Sequence, residues 1–214
     1  MALCVPNIRP LITSLQVVST AKQCSFADDA GGTGSTTEIK KWTLDNNQLK
    51  NLPSGIFSNN TQLRNLDLSN NPLKNLPSDI FATNTKLDFL RLNDNDMKGL
   101  NGSAFKDLTM LEELWLQDNN FIEFPPNLFQ DLKNLKELDL ANNELENLPA
   151  YAFRNIVAVK FLKLEYNKIE KLHEDQFQGL VELLDLYLTE NKIEALPDKI
   201  FKGVKKLRSL LLIT

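Results

Sequence analysis

The sequence has little of what catalytic and metal sites need. Its 214 residues include one histidine, His173, and two cysteines, Cys4 and Cys24. His173 is interpreted as a polar substitute on a surface turn, because the sequence shows no charged partner that would make it a pH sensor. No catalytic constellation and no motif with metal-ligand spacing occurs. The sequence therefore predicts a protein that is not an enzyme and that holds no cofactor and no metal.

Long apolar runs are also missing. No stretch of 18 apolar residues occurs, which excludes a transmembrane helix. Pro6, Arg9 and Pro10 interrupt the segment after Met1, so this segment makes a poor secretory signal. The composition is otherwise that of an ordinary globular domain, with 42% hydrophobic residues, 24% charged residues and a net charge of −4.

What the chain does have is a 24-residue repeat without a register slip. Each unit places an apolar residue eight positions before a fixed asparagine and a phenylalanine ten positions after it. The asparagines are Asn47, Asn71, Asn95, Asn119, Asn143, Asn167 and Asn191, and the phenylalanines are Phe57, Phe81, Phe105, Phe129, Phe153, Phe177 and Phe201. An eighth unit begins at Leu207. This period and leucine spacing are the signature of a leucine-rich repeat solenoid.

Each unit predicts one short strand, because its L-x-x-L-x-L run ends with a period of two. Asparagine side chains can serve open backbone groups at the turn after the strand, and the phenylalanines should stack as a spine under the convex side. The predicted fold class is α/β, a leucine-rich repeat horseshoe with a parallel concave β-sheet. Residues 39–214 are assigned to it as seven full repeats and the start of an eighth.

Residues 1–38 lack the repeat and are predicted to be an N-terminal cap and flexible loop. Apolar residues at spacings of three and four suggest a short helix that covers the first strand; they are Ile8, Leu11, Ile12, Leu15 and Val18. The small, polar, glycine-rich residues 25–37 indicate a loop. Cys4 and Cys24 both fall in the cap and predict one disulfide in an oxidising compartment, with two free thiols as the alternative.

Two further features concern the ends and the surface of the repeat domain. The last strand has no cap after it, so we expect a fragment of a longer repeat array. The sequons at Asn59 and Asn101 lie outside the predicted strands and would suit a glycosylated extracellular protein.

The concave face is the candidate ligand-binding surface. Its side chains are the residues six, four and two positions before each asparagine, and eight rows about 4.8 Å apart make a face roughly 34 Å long, the size of a protein ligand. Seven acidic residues face three basic ones: Asp45, Asp67, Glu113, Glu137, Asp139, Glu165 and Asp185 against Lys41, Arg91 and Lys163. Such a face favours a partner with basic and apolar surface and disfavours nucleic acid.

Four aromatic residues share this face with the charges, which is typical of an interface hot spot. Arg91 and Trp115 fall in the same column of neighbouring strands, where a cation–π contact is available. The alternative is that the aromatics only stabilise the sheet as cross-strand pairs. The candidate ligand-binding residues are Phe89, Arg91, Glu113, Trp115, Glu137, Asp139, Phe161, Asp185 and Tyr187.

Glu137 and Asp139 lie on one strand with Glu113 on the next. Paired carboxylates can act as general acid and base, or can bind calcium. Neither interpretation has a nucleophile, a metal-spaced motif or an enclosed pocket to support it. The group is therefore interpreted as a solvated acidic strip.

LRNLDLSNNPLKNLPSDIF, from Leu63 to Phe81, matches the pattern L-x-x-L-x-L-x-x-N-x-L-x-x-L-P-x-x-x-F of the extracellular "typical" leucine-rich repeats. The resemblance covers about residues 38 to 214. Family members include Toll and Toll-like receptor ectodomains, lamprey variable lymphocyte receptors, Slit proteins and small matrix proteoglycans. Units such as PSGIFSNNTQL and PSDIFATNTKL look most like an arthropod Toll-type ectodomain. Such proteins usually have cysteine-rich caps at both ends and a signal peptide, and the sequence departs from them in these respects.

The resemblance implies a protein-binding module, the extracellular ligand-binding ectodomain or a fragment of a Toll-like receptor in innate immune or developmental signalling. It also implies that the receptor can dimerise. The alternative is a secreted or intracellular scaffold or adhesion protein without a signalling role.

Overall fold

A computed structural model describes residues 25–27 and 39–212, and these residues form one sheet of nine short strands. Strands β2 to β9 are parallel and follow chain order, each shifted from the last by 24 residues. The strands are β1 Ser25–Ala27, β2 Lys41–Thr43, β3 Asn65–Asp67, β4 Phe89–Arg91, β5 Glu113–Trp115, β6 Glu137–Asp139, β7 Phe161–Lys163, β8 Asp185–Tyr187 and β9 Ser209–Leu211. The predicted repeat solenoid, with one strand per repeat, is confirmed.

The core lies between the sheet and the outer half of each coil. In β2 to β8 the middle residue of each strand is buried, while the residues on either side of it point to the concave surface. The apolar residues before and after β3 to β8 are also buried, as Leu111 and Leu116 show at 0% exposure. In the described residues the outer half of each coil consists of turns, closed by bonds such as Ile80 N–H to the Pro77 carbonyl at 3.2 Å.

The fixed asparagines form the predicted ladder, in which each side chain makes hydrogen bonds to backbone groups of two coils. Asn119 accepts a hydrogen bond from Met97 N–H of the preceding coil at 3.1 Å. Its Nδ2 donates to the Leu92 carbonyl of the preceding coil at 3.0 Å and to the Leu116 carbonyl of its own coil at 3.1 Å. The same bonds recur at each step from Asn71 to Asn191. Each side chain therefore joins two coils where their strands end.

The phenylalanine spine is confirmed as well. Six of its seven members are at most 1% exposed, and Phe201 is half-buried. Neighbouring rings stack with centroids 6.1 to 6.5 Å apart in the pairs Phe57–Phe81, Phe105–Phe129, Phe129–Phe153 and Phe177–Phe201. Burial of such rings on one side of every coil gives the solenoid a continuous apolar core.

The residue before each fixed asparagine adopts a left-handed backbone conformation, with φ between 52° and 57°. Five of these seven residues are Asn or Asp, which tolerate this region: Asn46, Asn70, Asp94, Asp118 and Asn142. Tyr166 and Glu190 occupy the same position in the last two repeats. Tyr166 is 58% exposed, so its ring lies on the surface in a conformation that a bulky residue seldom adopts.

One expectation for the N-terminal region is wrong. Ser25–Ala27 was expected in a loop, but it forms β1, which pairs antiparallel with β2. Backbone hydrogen bonds make this pairing, and the small polar sequence gives no alternating pattern that would reveal it. The predicted helix around residues 8–18, Cys4, Cys24 and the rest of the predicted loop lie outside the described residues. No helix long and apolar enough to cross a membrane occurs in the part of the chain that is described.

Candidate ligand-binding face

The sheet brings the predicted concave residues together in straight columns. One column contains Phe89, Glu113, Glu137, Phe161 and Asp185, and the next contains Arg91, Trp115, Asp139, Lys163 and Tyr187. All nine candidate residues lie on this face as the register predicts. They are half-buried except Asp139, which is 7% exposed.

The four aromatic residues frame a charged centre. In the first column Glu113 and Glu137 separate Phe89 from Phe161, and in the second Asp139 and Lys163 separate Trp115 from Tyr187. Among the ring contacts of the described residues, none joins two of these four aromatics. Their spacing therefore does not produce the cross-strand ring pairs that would explain them as sheet stabilisers.

Arg91 connects the aromatic frame to the acidic residues. Its guanidinium carbon lies 4.4 Å from the Trp115 ring centroid, which confirms the expected cation–π contact. On its other side, Arg91 Nη1 lies 3.4 Å from Asp67 Oδ2. The Arg91 guanidinium thus covers the Trp115 ring and restricts its movement, and an aromatic side chain held in this way offers a rigid contact surface.

Lys163 partly neutralises the centre of the face. Its Nζ lies 2.7 Å from Glu137 Oε1 and 3.1 Å from Asp139 Oδ2. Burial alone would lower the pKa of Lys163, but the hydrogen bond to Glu137 and the charge of Asp139 raise it above its ordinary value. Burial raises the pKa of Asp139, although the bonds from Ala141 N–H and Lys163 oppose this. Lys163 is not among the sequence candidates, since composition alone cannot show which acids it pairs with.

Two carboxylates beside this centre have no ion pair among the described residues. Burial, followed by the charge of Glu137, raises the pKa of Glu113. Burial also raises the pKa of Glu165, and its buried Oε2 has no hydrogen-bond partner in the described structure. Both groups are acids in a partly desolvated setting, where a cation from a partner would interact more strongly than on an open surface. Glu165 was placed on the face from the sequence but was not chosen as a candidate.

The face suits a macromolecule better than a small molecule. Its recess between β2 and β4, lined by residues that include Trp42, Asp67 and Arg91, has a volume of about 250 Å³. Ligand pockets usually enclose roughly 300 to 1,000 Å³. In the described residues no group of three His, Cys, Asp or Glu is arranged to hold a metal.

The remaining candidates lie away from the sheet. Asn59 and Asn101 are exposed, and Asn101 Oδ1 accepts bonds from Ser103 N–H at 3.0 Å and from the Ser103 hydroxyl at 2.8 Å. His173 does have an acidic neighbour, because its Nδ1 lies 3.7 Å from Asp175 Oδ2. Asp175 N–H donates to the same nitrogen at 3.1 Å, so Nδ1 acts as an acceptor.

The chain matches a family model described as Leucine rich repeat, over residues 37–97, 61–121, 86–145, 109–169 and 162–213. No curated protein sequence matches it. Among solved structures it resembles Toll-like receptor 13 in its complex with ssRNA13, at 33% identity and a TM-score of 0.74 over 78% of this chain and 24% of that one. It also resembles the Toll–Spatzle complex of Drosophila, at 32% identity and a TM-score of 0.77 over 80% of this chain and 23% of that one. The chain thus spans about a quarter of either relative.

Proposed function

The chain belongs to the leucine-rich repeat family, and from this premise we propose that it is the ligand-binding part of a Toll-like receptor ectodomain. It holds a protein ligand on its concave face, outside the cell, in innate immune or developmental signalling. The observation that most supports this is the charged centre of the face, framed by four half-buried aromatics with Arg91 stacked on Trp115. Rigid aromatic and arginine anchors are typical of protein interfaces.

A protein suits this face better than a nucleic acid. The two similar solved structures are complexes with an RNA and with the Spatzle protein, so both ligand classes have a precedent in this family. Nucleic-acid binding depends on cations that neutralise phosphates. Of the three cations on this face, Arg91 and Lys163 are already paired with Asp67, Glu137 and Asp139. The unpaired carboxylates Glu113 and Glu165 favour a ligand with basic side chains.

Substitution of Trp115 by alanine tests the proposed surface. Loss of the anchor should weaken binding of the protein ligand by more than about 1 kcal/mol, which is at least roughly fivefold in Kd. Immobilised chain would be probed with Spatzle and, separately, with a single-stranded RNA. Tyr166→Ala is the matched control, since it removes an exposed aromatic outside the concave columns. Equal binding by both variants, or binding of RNA alone, would contradict the proposal.

Intact mass tests the proposed location. On secretion behind a supplied signal peptide, we expect a cystine between Cys4 and Cys24 and glycan mass at Asn59 or Asn101. The masses would be compared with and without reductant and glycosidase. Free thiols together with no glycan would instead support the intracellular scaffold.

A further inference from the structure

One flank of the solenoid bears an ordered row of charges. The residue three positions after each fixed asparagine lies there, beyond the edge of the concave sheet. We call these seven residues the flank row: Lys50, Lys74, Lys98, Ile122, Glu146, Glu170 and Glu194. All seven are exposed, and Ile122 is 49% exposed. The row therefore runs from three lysines through one isoleucine to three glutamates.

Backbone hydrogen bonds beside and within the flank row hold it in register. Beside it, the residues after Asn95, Asn119, Asn143, Asn167 and Asn191 donate to the preceding coil, as in Asp96 N–H to the Leu73 carbonyl at 2.9 Å and Asn120 N–H to the Met97 carbonyl at 2.8 Å. Within it, Glu146 N–H donates to the Ile122 carbonyl at 3.3 Å. Successive members are thus spaced like paired strands, about 4.8 Å apart, and the row is about 29 Å long.

When the flank row is placed against a second copy running in the opposite direction, opposite charges face each other. Counted outward from Ile122, every lysine on one side is matched by a glutamate at the same distance on the other side. We infer that two copies of this chain associate flank to flank in antiparallel orientation, around a two-fold axis at Ile122. Lys98 of one copy then faces Glu146 of the other, Lys74 faces Glu170, and Lys50 faces Glu194. Such an isologous contact closes as a dimer.

The curvature of the solenoid permits this pairing. A two-fold axis that passes through Ile122 along the radius of the arc reverses the order of the coils and keeps both concave faces on the same side. The two flank rows then have the same curvature and can stay in contact over their whole length. This association is independent of the proposed ligand, because it leaves the concave face uncovered.

The acidic end of the flank also offers space for a partner's lysine. A recess of about 450 Å³ lies between its coils, lined by residues that include Glu170, Leu172 and Glu194. Lys192 approaches Glu170 only to 3.8 Å, and both side chains are 61% exposed, so this intrachain pair is loose. In the part of the chain that is described, Lys50, Lys74 and Lys98 form no ion pair.

Two like-charge contacts beside the flank row oppose the pairing and limit its strength. Glu123 would lie near its own copy across the axis, and Glu144 would lie near the partner copy of Asp96. Glu144 is already paired with Lys168, which reduces the second repulsion. Exposed ion pairs are individually weak and screened by salt. We therefore expect a weak dimer that dissociates as ionic strength rises.

Charge reversal tests the inference. One variant combines Lys50→Glu, Lys74→Glu and Lys98→Glu; a second combines Glu146→Lys, Glu170→Lys and Glu194→Lys. Each makes the row uniform in sign, so homodimer affinity should fall by at least roughly a hundredfold. A mixture of the two should form a heterodimer, and the variant with all six changes should recover the homodimer. Sedimentation velocity at low ionic strength measures all four cases.

A charge-matched control separates the row from net charge. Lys106→Glu, Lys133→Glu and Lys202→Glu change three exposed lysines elsewhere and should leave the dimer intact. Zero-length carbodiimide cross-linking should join Lys50 to Glu194, a pair that lies six coils apart within one chain. Because glycan at Asn101 would lie close to Lys98, the protein is measured before and after glycosidase treatment. A wild type that stays monomeric after that treatment, or triple variants that dimerise like it, would overturn the inference.

Discussion

At the residue scale, pairing decides what a charged side chain contributes. The sequence shows seven acidic and three basic residues on the concave face, which suggests a uniformly acidic surface. In the structure Lys163 lies between Glu137 and Asp139, and Arg91 lies beside Asp67. The unneutralised acids are thereby reduced to a few positions such as Glu113. Side-chain pairing between neighbouring coils follows from rotamers, and the repeat pattern does not specify rotamers.

Substitution of Lys163 by methionine should destabilise the protein at neutral pH. The change leaves Glu137 and Asp139 without their cation, and Asp139 is 7% exposed. Loss of a hydrogen bond to a charged group costs about 1.5 to 3 kcal/mol. Urea unfolding at pH 7 would measure this loss. Lys136→Met is the control, because its pair with Glu112 is 46% and 38% exposed and should contribute less than about 1 kcal/mol.

The cost of Lys163→Met should shrink as the pH falls. Burial already raises the pKa of Asp139 in the folded wild type, and removal of Lys163 raises it further. An acid whose pKa is higher in the folded state binds protons more readily there, so folding becomes more favourable as the pH falls towards the unfolded pKa of about 3.9. The difference in free energy of unfolding between the wild type and Lys163→Met should therefore shrink between pH 7 and about pH 4. A deficit that stays constant over this range would show that the two carboxylates are not its cause.

The sequence could predict which residues of the candidate site lie on the concave face. A fixed period places Phe89, Trp115 and Tyr187 on the concave face without any further information, because register determines which side chains point outward. The stack of Arg91 on Trp115 was predictable for the same reason. The roles of Lys163 and Glu165 were not, since they depend on the local burial and the hydrogen bonds of individual atoms.

At the element scale, the asparagine ladder joins one coil to the next. Each side chain serves an N–H and two carbonyl groups that no strand partner satisfies. These backbone groups are buried, so they need a partner to avoid a desolvation cost. The sequence predicts this ladder because the fixed column is asparagine, whose amide side chain can donate two hydrogen bonds and accept at its oxygen. It does not predict β1, whose pairing with β2 uses backbone groups alone.

Substitution of Asn119 by alanine should remove one step of the ladder. Met97 N–H would be left without its buried partner, which costs about 1 to 3 kcal/mol, whereas the Leu92 and Leu116 carbonyls would keep the bonds that they accept from Asn95 and Asn143. We expect a total loss of about 1 to 3 kcal/mol, measured by chemical denaturation. Asn120→Ala, an exposed neighbour, is the control and should change stability by less than about 0.5 kcal/mol. Similar losses in both variants would show that the ladder is not the source of the effect.

At the scale of the whole molecule, each coil contacts only its neighbours. In such a solenoid stability is approximately a sum of coil terms and interface terms. Phe129 illustrates the interface term, because its ring stacks on Phe105 at 6.5 Å and on Phe153 at 6.1 Å. Phe201 stacks on Phe177 at 6.2 Å, has no described ring contact on its other side, and is half-buried. Phenylalanines at equivalent positions of the repeat therefore contribute unequally to the stability of the fold.

Alanine at Phe129 should cost about 3 to 5 kcal/mol, and alanine at Phe201 should cost less, because a half-buried ring leaves a smaller cavity. The stronger test is which strands are destabilised by the Phe129→Ala substitution. Since the Phe129 ring stacks only on rings of the two adjacent coils, hydrogen exchange should accelerate most at the amides of β4, β5 and β6 and least at β2 and β9. Uniform acceleration across all strands would instead mean that the solenoid opens as one cooperative unit. In that case the interfaces, rather than the individual coils, dominate its stability.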